Sequence, residues 1–483
     1  MRCVQACGAQ PGAALTDVNR LAAVGRCGRS ARRSMRPKAL RSLNAPVPAG
    51  RTIVRRTALP AMRSPLEAAI GQQSEWRMSR TARSSRRGSE SSNGLVLAFN
   101  AGSSTIKLAL YDASSRRELA RGVLDLLRAP LRLLLHRSGA HDILPLDAPV
   151  TDSLHEVIDA LLAQLESHHA LGDLVAVGHR IVHGGQRFDR AVRVDDATLD
   201  HIDALTFLAP LHQGHGVRLM RAVRALRPLL PQTASFDTAF HATQDPLLRR
   251  FALPRALHEE GLMRYGFHGL SYAWIAGELA RRAPALAAGR VVALHLGSGA
   301  SLCAMRAGRS VDASMGFSTL DGVPMATRCG ALDPGAVLYL LQRRGMTPAE
   351  VEDLLYHRSG LLGVSGRSAD VRTLEHDAAT CPAAAEALAL LAARCAGEVG
   401  RLAASLQGVD ALVFTAGIGE HDAALRAAIA DRLGWLGVAI DAQANQRHAQ
   451  RIDASHSAVA VFVIPTDEEC VIAGDALDLL AAA

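Results

Sequence analysis

Two observations in the sequence predict an α/β protein built from two related halves. Strand-like apolar runs alternate with helix-like segments from residue 95 to the C-terminus. A Gly/Ser turn between an apolar strand and an alternating one occurs twice, in "LVLAFNAGSSTIKLALYD" (95–112) and in "RVVALHLGSGASLCAMRAGRSVD" (290–312). Gly102-Ser103 overlays Gly297-Ser298, and the second turn needs one inserted residue for its later strand to register. This long-range repeat suggests that each half opens with a hairpin whose turn faces a shared cleft.

A chain of 483 residues is too long for one core and implies two domains. Residues 1–92 are rich in Arg, Ser, Ala and Pro and lack periodicity, a composition that buries little apolar surface. They carry a net charge of +14, and the rest of the chain carries −6. The basic character therefore belongs to this extension, and the body has no nucleic-acid-binding signature. The extension reads as disordered. An upstream-extended reading frame is the first explanation, with Met78 as a candidate start, and a transit-like leader the second. A nucleic-acid-binding tail is the third.

Within the body, "SLHEVIDALLAQLESH" (153–168) has apolar residues at helical spacing. "LVAVGHRIVHGG" (174–185) reads as a buried strand entering a polar loop, and residues 383–406 as an Ala/Leu-rich helix. "ALVFTAGIGEHDAALRAAIADRL" reads as strand, Gly-bearing turn and helix, an N-terminus suited to an anion. "AVFVIPTDEECVIAGDALDLL" reads as strand, acidic loop and final helix. No apolar stretch is long enough to cross a membrane as a helix. Eight scattered cysteines without a Cys-x-x-Cys pair read as reduced and cytosolic.

The candidate chemistry lies in the loops. The chain writes 52 of its cations as Arg and only two as Lys, Lys38 and Lys107. Lys107 follows Asn100, Ser103, Ser104 and Thr105 around a glycine, and hydroxyls, amides and a compact ammonium all suit phosphate oxygens. The turns His295 to Gly299 and Ala416 to Glu420 are further Gly-rich segments after strands, and three such turns fit one nucleotide cleft better than three accidents. Arg180, His212, His268 and Arg328 stand in other Gly-containing loops after apolar segments, where functional groups are displayed. Asp237 lies among aromatic and apolar residues, and Glu468 suits a hard cation such as Mg2+.

In order, "NAGSSTIK", "GHRIVHGG", "APLH", "FDTAFH", "RYGFHG", "HLGSGAS", "SVDASMGFSTLDG", "TRCGALDP", "DVR", "TAGIGE" and "IPTDEE" run from about residue 95 to 475. This series of motifs resembles the acetate kinase family. The resemblance implies a duplicated ribonuclease-H-like fold of the actin type flanking a nucleotide cleft. Its first domain would span 93–240, completed by a C-terminal helix over 469–483, and its second 241–468. It also implies a homodimer that moves the γ-phosphoryl group of ATP to acetate, reversibly, giving acetyl phosphate and ADP with Mg2+, or Mn2+ in its place.

Carried over motif by motif, Asn100 and Glu468 match the metal-associated positions, and Ser103, Thr105 and Lys107 the phosphate side. His295, Leu296, Gly297, Ser298 and Gly299 match a nucleotide segment. So do Asp370, Val371 and Arg372, and likewise Ala416, Gly417, Ile418, Gly419 and Glu420. Arg180 and Arg328 match the carboxylate- and phosphoryl-holding arginines. Val182, Leu211, His212 and Phe267 match the substrate pocket, His268 the transition-state stabiliser and Asp237 an essential acid. The chain departs from the family at Ser298, where Asn is usual, and at Ala416, where Gly is usual. It also departs at Thr319 (Pro), Gln213 (Asn) and Asp467 (Asn). Acetate is ionised at neutral pH, so no general base is required and Asp237 is expected to orient an arginine or a metal-bound water. A propionate or butyrate kinase of the same family is the near alternative. An actin- or chaperone-like nucleotide switch is the distant one, disfavoured by Arg180, Arg328 and His268.

Overall fold

A computed structural model describes residues 94–482 apart from 103–104, 138, 152 and 168–173; the N-terminal extension and Ser103 therefore lie outside the described residues. Thirteen strands are described: β1 (Leu95–Ala101), β2 (Thr105–Asp112), β3 (Glu118–Asp125), β4 (Arg132–Arg137), β5 (Ala140–Pro145), β6 (Leu174–Ile181), β7 (Val192–Arg193), β8 (Gln232–Phe236), β9 (Arg290–Leu296), β10 (Ala300–Arg306), β11 (Arg309–Ala313), β12 (Ala411–Thr415) and β13 (Ala460–Val463). They form one sheet ordered β5-β4-β3-β2-β1-β6-β8-β7 and another ordered β11-β10-β9-β12-β13.

The same arrangement occurs in both. An antiparallel hairpin (β1–β2, β9–β10) extends to a third antiparallel strand (β3, β11). On its other side the first hairpin strand pairs in parallel with β6 or β12, and these pair in parallel with β8 or β13. Ala101 opposes Ile106 in one hairpin and Leu296 opposes Ala300 in the other, so the second turn is one residue shorter.

Alternation sets the cores. Leu95, Leu97 and Phe99 point into one cluster with Ile106, Leu108 and Leu110; Val96, Ala98, Ala109 and Tyr111 point into another across the sheet. In the second sheet Val292, Leu294 and Leu296 face one core, and Val291 and Ala293 the opposite one. The central strands of both sheets are covered on both faces, as parallel strands in α/β proteins require. The helix His155–Ser167 buries Val157, Ile158, Leu161, Leu162 and Leu165 as one stripe against the first sheet. Leu161→Ala there would cost about 2–5 kcal/mol.

The helix Pro382–Leu406 covers one face of the second sheet through Leu391, Cys395, Val399 and Leu402, and the helix Gly269–Arg282 covers the other through Tyr272, Ile275 and Leu279. The last helix, Glu468–Ala481, returns to the first sheet, where Ile472, Ala473 and Ala476 meet Val96, Ala98 and Ala176. Close packing matters here: a Cβ on Gly178 of β6 would lie 2.7 Å from the Ile472 side chain. This return brings the acidic residues 467–469 to the ends of β1 and β6.

Two local readings change. Glu468 does not lie in a loop but opens the last helix, with Asp467 as the N-cap accepting from the Cys470 amide at 3.2 Å. The segment Ala416–His421 is itself a short helix rather than a turn before one. No helix of the described residues is long and apolar enough to cross a membrane.

Candidate active site

The first cluster forms at the C-terminal ends of neighbouring parallel strands, where open α/β sheets bind ligands. Arg180 is the penultimate residue of β6, and Asp237 follows β8, its amide donating to Ile181 O at 2.9 Å. Arg180 Nε donates to both Asp237 oxygens at 3.0 and 3.1 Å, and Nη2 to Oδ2 at 2.6 Å. Its Nη1 donates to Asn100 Oδ1 at 3.2 Å. Asn100, near the end of β1, gives its amide protons to Glu468 Oε2 at 2.7 Å and Glu469 Oε1 at 2.9 Å. An Arg on one side and two carboxylates on the other fix that amide's orientation.

Three acids in a row at one helix start would repel one another if left alone. Arg121 of β3 reaches Asp467 at 2.6 Å, Glu469 at 2.9 Å and Glu118 at 2.7 Å. Glu468 instead faces Asn100 and Arg180. Burial raises its carboxyl, but Arg180, His295, Lys107 and the Asn100 hydrogen bond outweigh that and hold it below the usual value. At Asp237 burial acts upward, and the Arg180 charge and hydrogen bonds pull down. Lys107 opposes Asn100 in the β1–β2 register, which puts both side chains on one face, and it is exposed. Thr105 shapes the turn by accepting the Gly102 amide at 2.8 Å.

The second cluster gathers around two stacked imidazoles, His268 and His295, with centroids 4.2 Å apart. His268 caps the helix Gly269–Arg282 in the left-handed conformation (φ 56°, ψ 28°), unusual for a non-glycine residue. Its Nδ1 lies 2.8 Å from Ser301 Oγ, which is 2.5 Å from the Tyr272 hydroxyl. His295 Nδ1 lies 2.9 Å from Ser271 Oγ, Thr466 Oγ1 donates to that same oxygen at 2.9 Å, and the Thr466 amide donates to Glu420 at 3.2 Å. One hydrogen-bonded chain thus ties together three of the loops singled out in the sequence. Burial lowers His295 to about 4 and raises Glu420 to about 7.

Arg328 is the third element. Its Nη2 donates to His212 Nε2 at 3.1 Å and its Nη1 to the Thr319 carbonyl at 3.3 Å. Arg always donates, so His212 is bare at Nε2 and neutral; burial, then Arg328 and Arg180, lower it to about 3. Among the described residues no carboxylate pairs with Arg328, and burial depresses its guanidinium. A half-buried cation without a counter-charge is unfavourable, and an anionic ligand relieves it. A Cβ on Gly299 would stand 3.5 Å from His268 Nε2 and 3.9 Å from Arg328 Nη1, so the missing side chain leaves room between those two groups.

The nucleotide-segment candidates fall into two groups. Leu296 is buried in the core, Ser298 accepts from the Ala326 amide at 3.3 Å, and a Cβ on Gly297 would lie 3.8 Å from that of Ala416, so the two Gly-rich segments adjoin. Ile418 packs on the same core, and Gly417 has open space around its Cα. Asp370 and Arg372 sit apart in character: Asp370 caps the helix Val371–Asp377 and is half-buried, Arg372 folds back onto it at 2.8 Å and is exposed, and Val371 is core. Of the pocket candidates, Val182 and Phe267 are buried in one cluster, while nothing is described of the Leu211 side chain. Gln213, replacing the usual Asn, pins the loop by accepting from the His183 amide and donating to the His183 and Ile202 carbonyls.

Several residues that hold this site escaped sequence reading. Ser301 and Tyr272 lay inside or beside quoted motifs but carried no signal of their own. Arg121 looks like an ordinary strand residue. Arg426, fully buried, donates to the Gly419 and Glu420 carbonyls, each at 2.9 Å, and so fixes the helix Ala416–His421. Its one signal is an Arg on the buried stripe of "ALRAAIAD".

The acetokinase family model matches residues 95–474. An acetate kinase of Nitrobacter hamburgensis is 46% identical over 393 residues, 80% of this chain and 96% of that protein. Two solved structures superpose over 80% of this chain and all of theirs. One is a propionate kinase from Francisella tularensis (33% identity, TM-score 0.75), the other Porphyromonas gingivalis acetate kinase (31% identity, TM-score 0.72). With the family model running through both sheets and every loop of the clusters just described, the chain belongs to the acetokinase family.

Proposed function

We propose that this chain is an acetate kinase, moving the γ-phosphoryl group of ATP onto a carboxylate oxygen of acetate and, in reverse, that of acetyl phosphate onto ADP. The observation that carries the reading is the pair of arginines at one site. Arg180 is already turned by Asp237, and Arg328 is half-buried without a carboxylate partner among the described residues. Two anions must meet, and the charge in flight spreads over equatorial oxygens, so positioning and neutralisation do most of the work. The two guanidinium forks suit the carboxylate and the transferring group, and Lys107 suits the phosphate chain. His268 would donate to the moving phosphoryl, with Val182 and Phe267 walling the acyl methyl. Asp237 would orient Arg180 rather than take a proton, which three hydrogen bonds from that arginine support.

Glu468 and Asn100 fit Mg2+. They offer hard oxygen ligands, the carboxyl is held below its usual value, and no cage of three or more His, Cys, Asp or Glu converges among the described residues. That sparse set is what a magnesium keeping waters and phosphate oxygens uses. When bound, the ion would neutralise phosphate charge beside the reacting oxygens. We propose two domains organised on the two sheets, the first completed by Glu468–Ala481.

Homodimer formation is proposed through the helix Pro334–Gln342. Its sequence is apolar, yet none of its residues is buried, and Leu338 and Tyr339 are about half exposed. A cytoplasmic location accords with five free thiols among the described residues. The test is kcat/KM for acetate, propionate and butyrate with a hydroxylamine trap for the acyl phosphate. Acetate should lead; ATP hydrolysis indifferent to carboxylate, or a preference for the longer acids, would overturn the reading.

A further inference from the structure

We propose that Ser301 and Tyr272 are positioning residues that hold His268 as a single tautomer, its proton on Nε2 and directed at the transferring group; this rests on the kinase reading above. Ser301 Oγ lies between His268 Nδ1, at 2.8 Å, and the Tyr272 hydroxyl, at 2.5 Å, and both Ser301 and Tyr272 are buried. Each hydroxyl owns one proton. If Tyr272 donates to Ser301 and Ser301 to His268, every proton is used and Nδ1 is left bare. In the opposite direction the phenol proton has no acceptor among the hydrogen bonds of the described residues, an unfavourable outcome in a buried site. A neutral ring with a bare Nδ1 carries its proton on Nε2.

Geometry puts that Nε2 where it is useful. The nitrogen faces the gap left by Gly299 beside Arg328. The ring is fixed from three sides: the left-handed backbone at residue 268, the Ser301 contact, and the His295 stack, itself held by Ser271. The groups around it discourage a second proton. Burial acts first, then His295, Arg180, Arg328 and His241, and together they keep the imidazole well below its ordinary value. A neutral donor suits this chemistry. Transfer between a phosphate chain and a carboxylate needs no proton to move, so a group that hydrogen-bonds a developing charge without surrendering its proton serves throughout.

Nitrogen-15 NMR of the imidazoles of the full chain, without nucleotide or acetate, reads the tautomer directly, with His268→Gln assigning the signal. The expected result is a protonated Nε2 and a bare Nδ1 at neutral pH. Ser301→Ala and Tyr272→Phe should each give mixed tautomers. Each should lower kcat on the order of 10- to 100-fold, by analogy with the loss of a group that orients a metal-bound imidazole. KM for acetate should stay within about twofold, because the interaction belongs to the transition state. Ser301→Thr, which keeps the hydroxyl, should restore the tautomer. Should Ser301→Ala not fold, Tyr272→Phe, which removes one oxygen, gives the same reading. A proton on Nδ1, a doubly protonated ring at neutral pH, or wild-type kcat in Tyr272→Phe overturns the proposal. The spectrum is taken without substrate, so its failure is separable from a wild-type chain that does not phosphorylate acetate.

Discussion

The turn after β1 and the turn after β9 hold the same place in two sheets that share a five-strand order, yet they present different chemistry. The first displays side chains. Asn100 and Lys107 face each other across the hairpin, and Asn100 bridges Arg180 to Glu468. The second withdraws them. It is one residue shorter, it has Gly297 and Gly299 where a Cβ would meet neighbours, and its polar groups, His295 and Ser301, point back to the helix Gly269–Arg282. One turn supplies charge; the other supplies space beside charges that come from elsewhere. A duplicated scaffold has been loaded asymmetrically, as a reaction joining two unlike anions requires.

The arginines make the same contrast and give the largest expected effects. Arg180→Ala should remove activity and also leave Asp237 buried without its partner, at about 3–5 kcal/mol of stability. Arg328→Ala should lose about 10²–10³-fold in kcat, while stability falls little or rises, because the group removed has no carboxylate partner among the described residues. Kinetics alongside urea unfolding of both variants distinguishes them. Equal losses of stability would break the comparison.

Two glutamates, Glu420 buried and Glu468 half-buried, differ in the same way. Glu468 has cations facing it and is held low; Glu420 is chiefly buried and sits at about 7. A carboxyl raised on folding stabilises fully below its unfolded value, near 4.5, and loses that contribution as pH rises through about 7. Wild-type stability should therefore decline across that window by at most about 3 kcal/mol, and Glu420→Gln should flatten the decline. Glu468 acts with the opposite sign, its contribution disappearing as pH falls through its depressed value. Unfolding free energy measured from pH 4 to 8 in both proteins decides it.

Much of this was legible in the sequence because it is local. Alternation in "LVLAFNA" and "RVVALHL" gave strands and faces, and the one-residue offset between the turns appeared before any pairing was seen. What was not legible depends on contacts far along the chain. Arg121 reads as a strand residue until residues 467–469 arrive beside it from the other end. Asp467, a departure from the family's Asn, makes sense only with that arginine next to it. Ser301 and Tyr272 are ordinary hydroxyls until the left-handed turn at His268 brings an imidazole to them. Glu468 was misread as a loop residue because the capping role of Asp467 adds no periodicity to the helix it starts.

Lys107→Arg tests the loaded turn. Charge is kept, but a planar fork is wider than an ammonium, and a displacement of about 1 Å costs up to about 10²-fold. A fall in kcat on the order of tenfold is expected. Unchanged kinetics would make the lysine a compositional accident.

The smallest effect concerns the emptied side of the cleft. Ala416 stands where the family usually has Gly, and its φ is +65°, in the left-handed region that a Cβ disfavours by about 1–2 kcal/mol. It is held there because β12 must turn straight into the helix Ala416–His421, whose last carbonyls are tied down by Arg426. Ala416→Gly relieves that strain but also frees the unfolded chain, which offsets about 0.4–1 kcal/mol. The net expectation is a gain of up to about 1 kcal/mol, read as a higher urea midpoint at unchanged m-value. The added freedom should also loosen the segment beside Gly297, so the KM for nucleotide should rise or stay level rather than fall. A destabilised Ala416→Gly would mean that the alanine methyl makes contacts worth more than the strain it imposes, and that the second turn is filled after all.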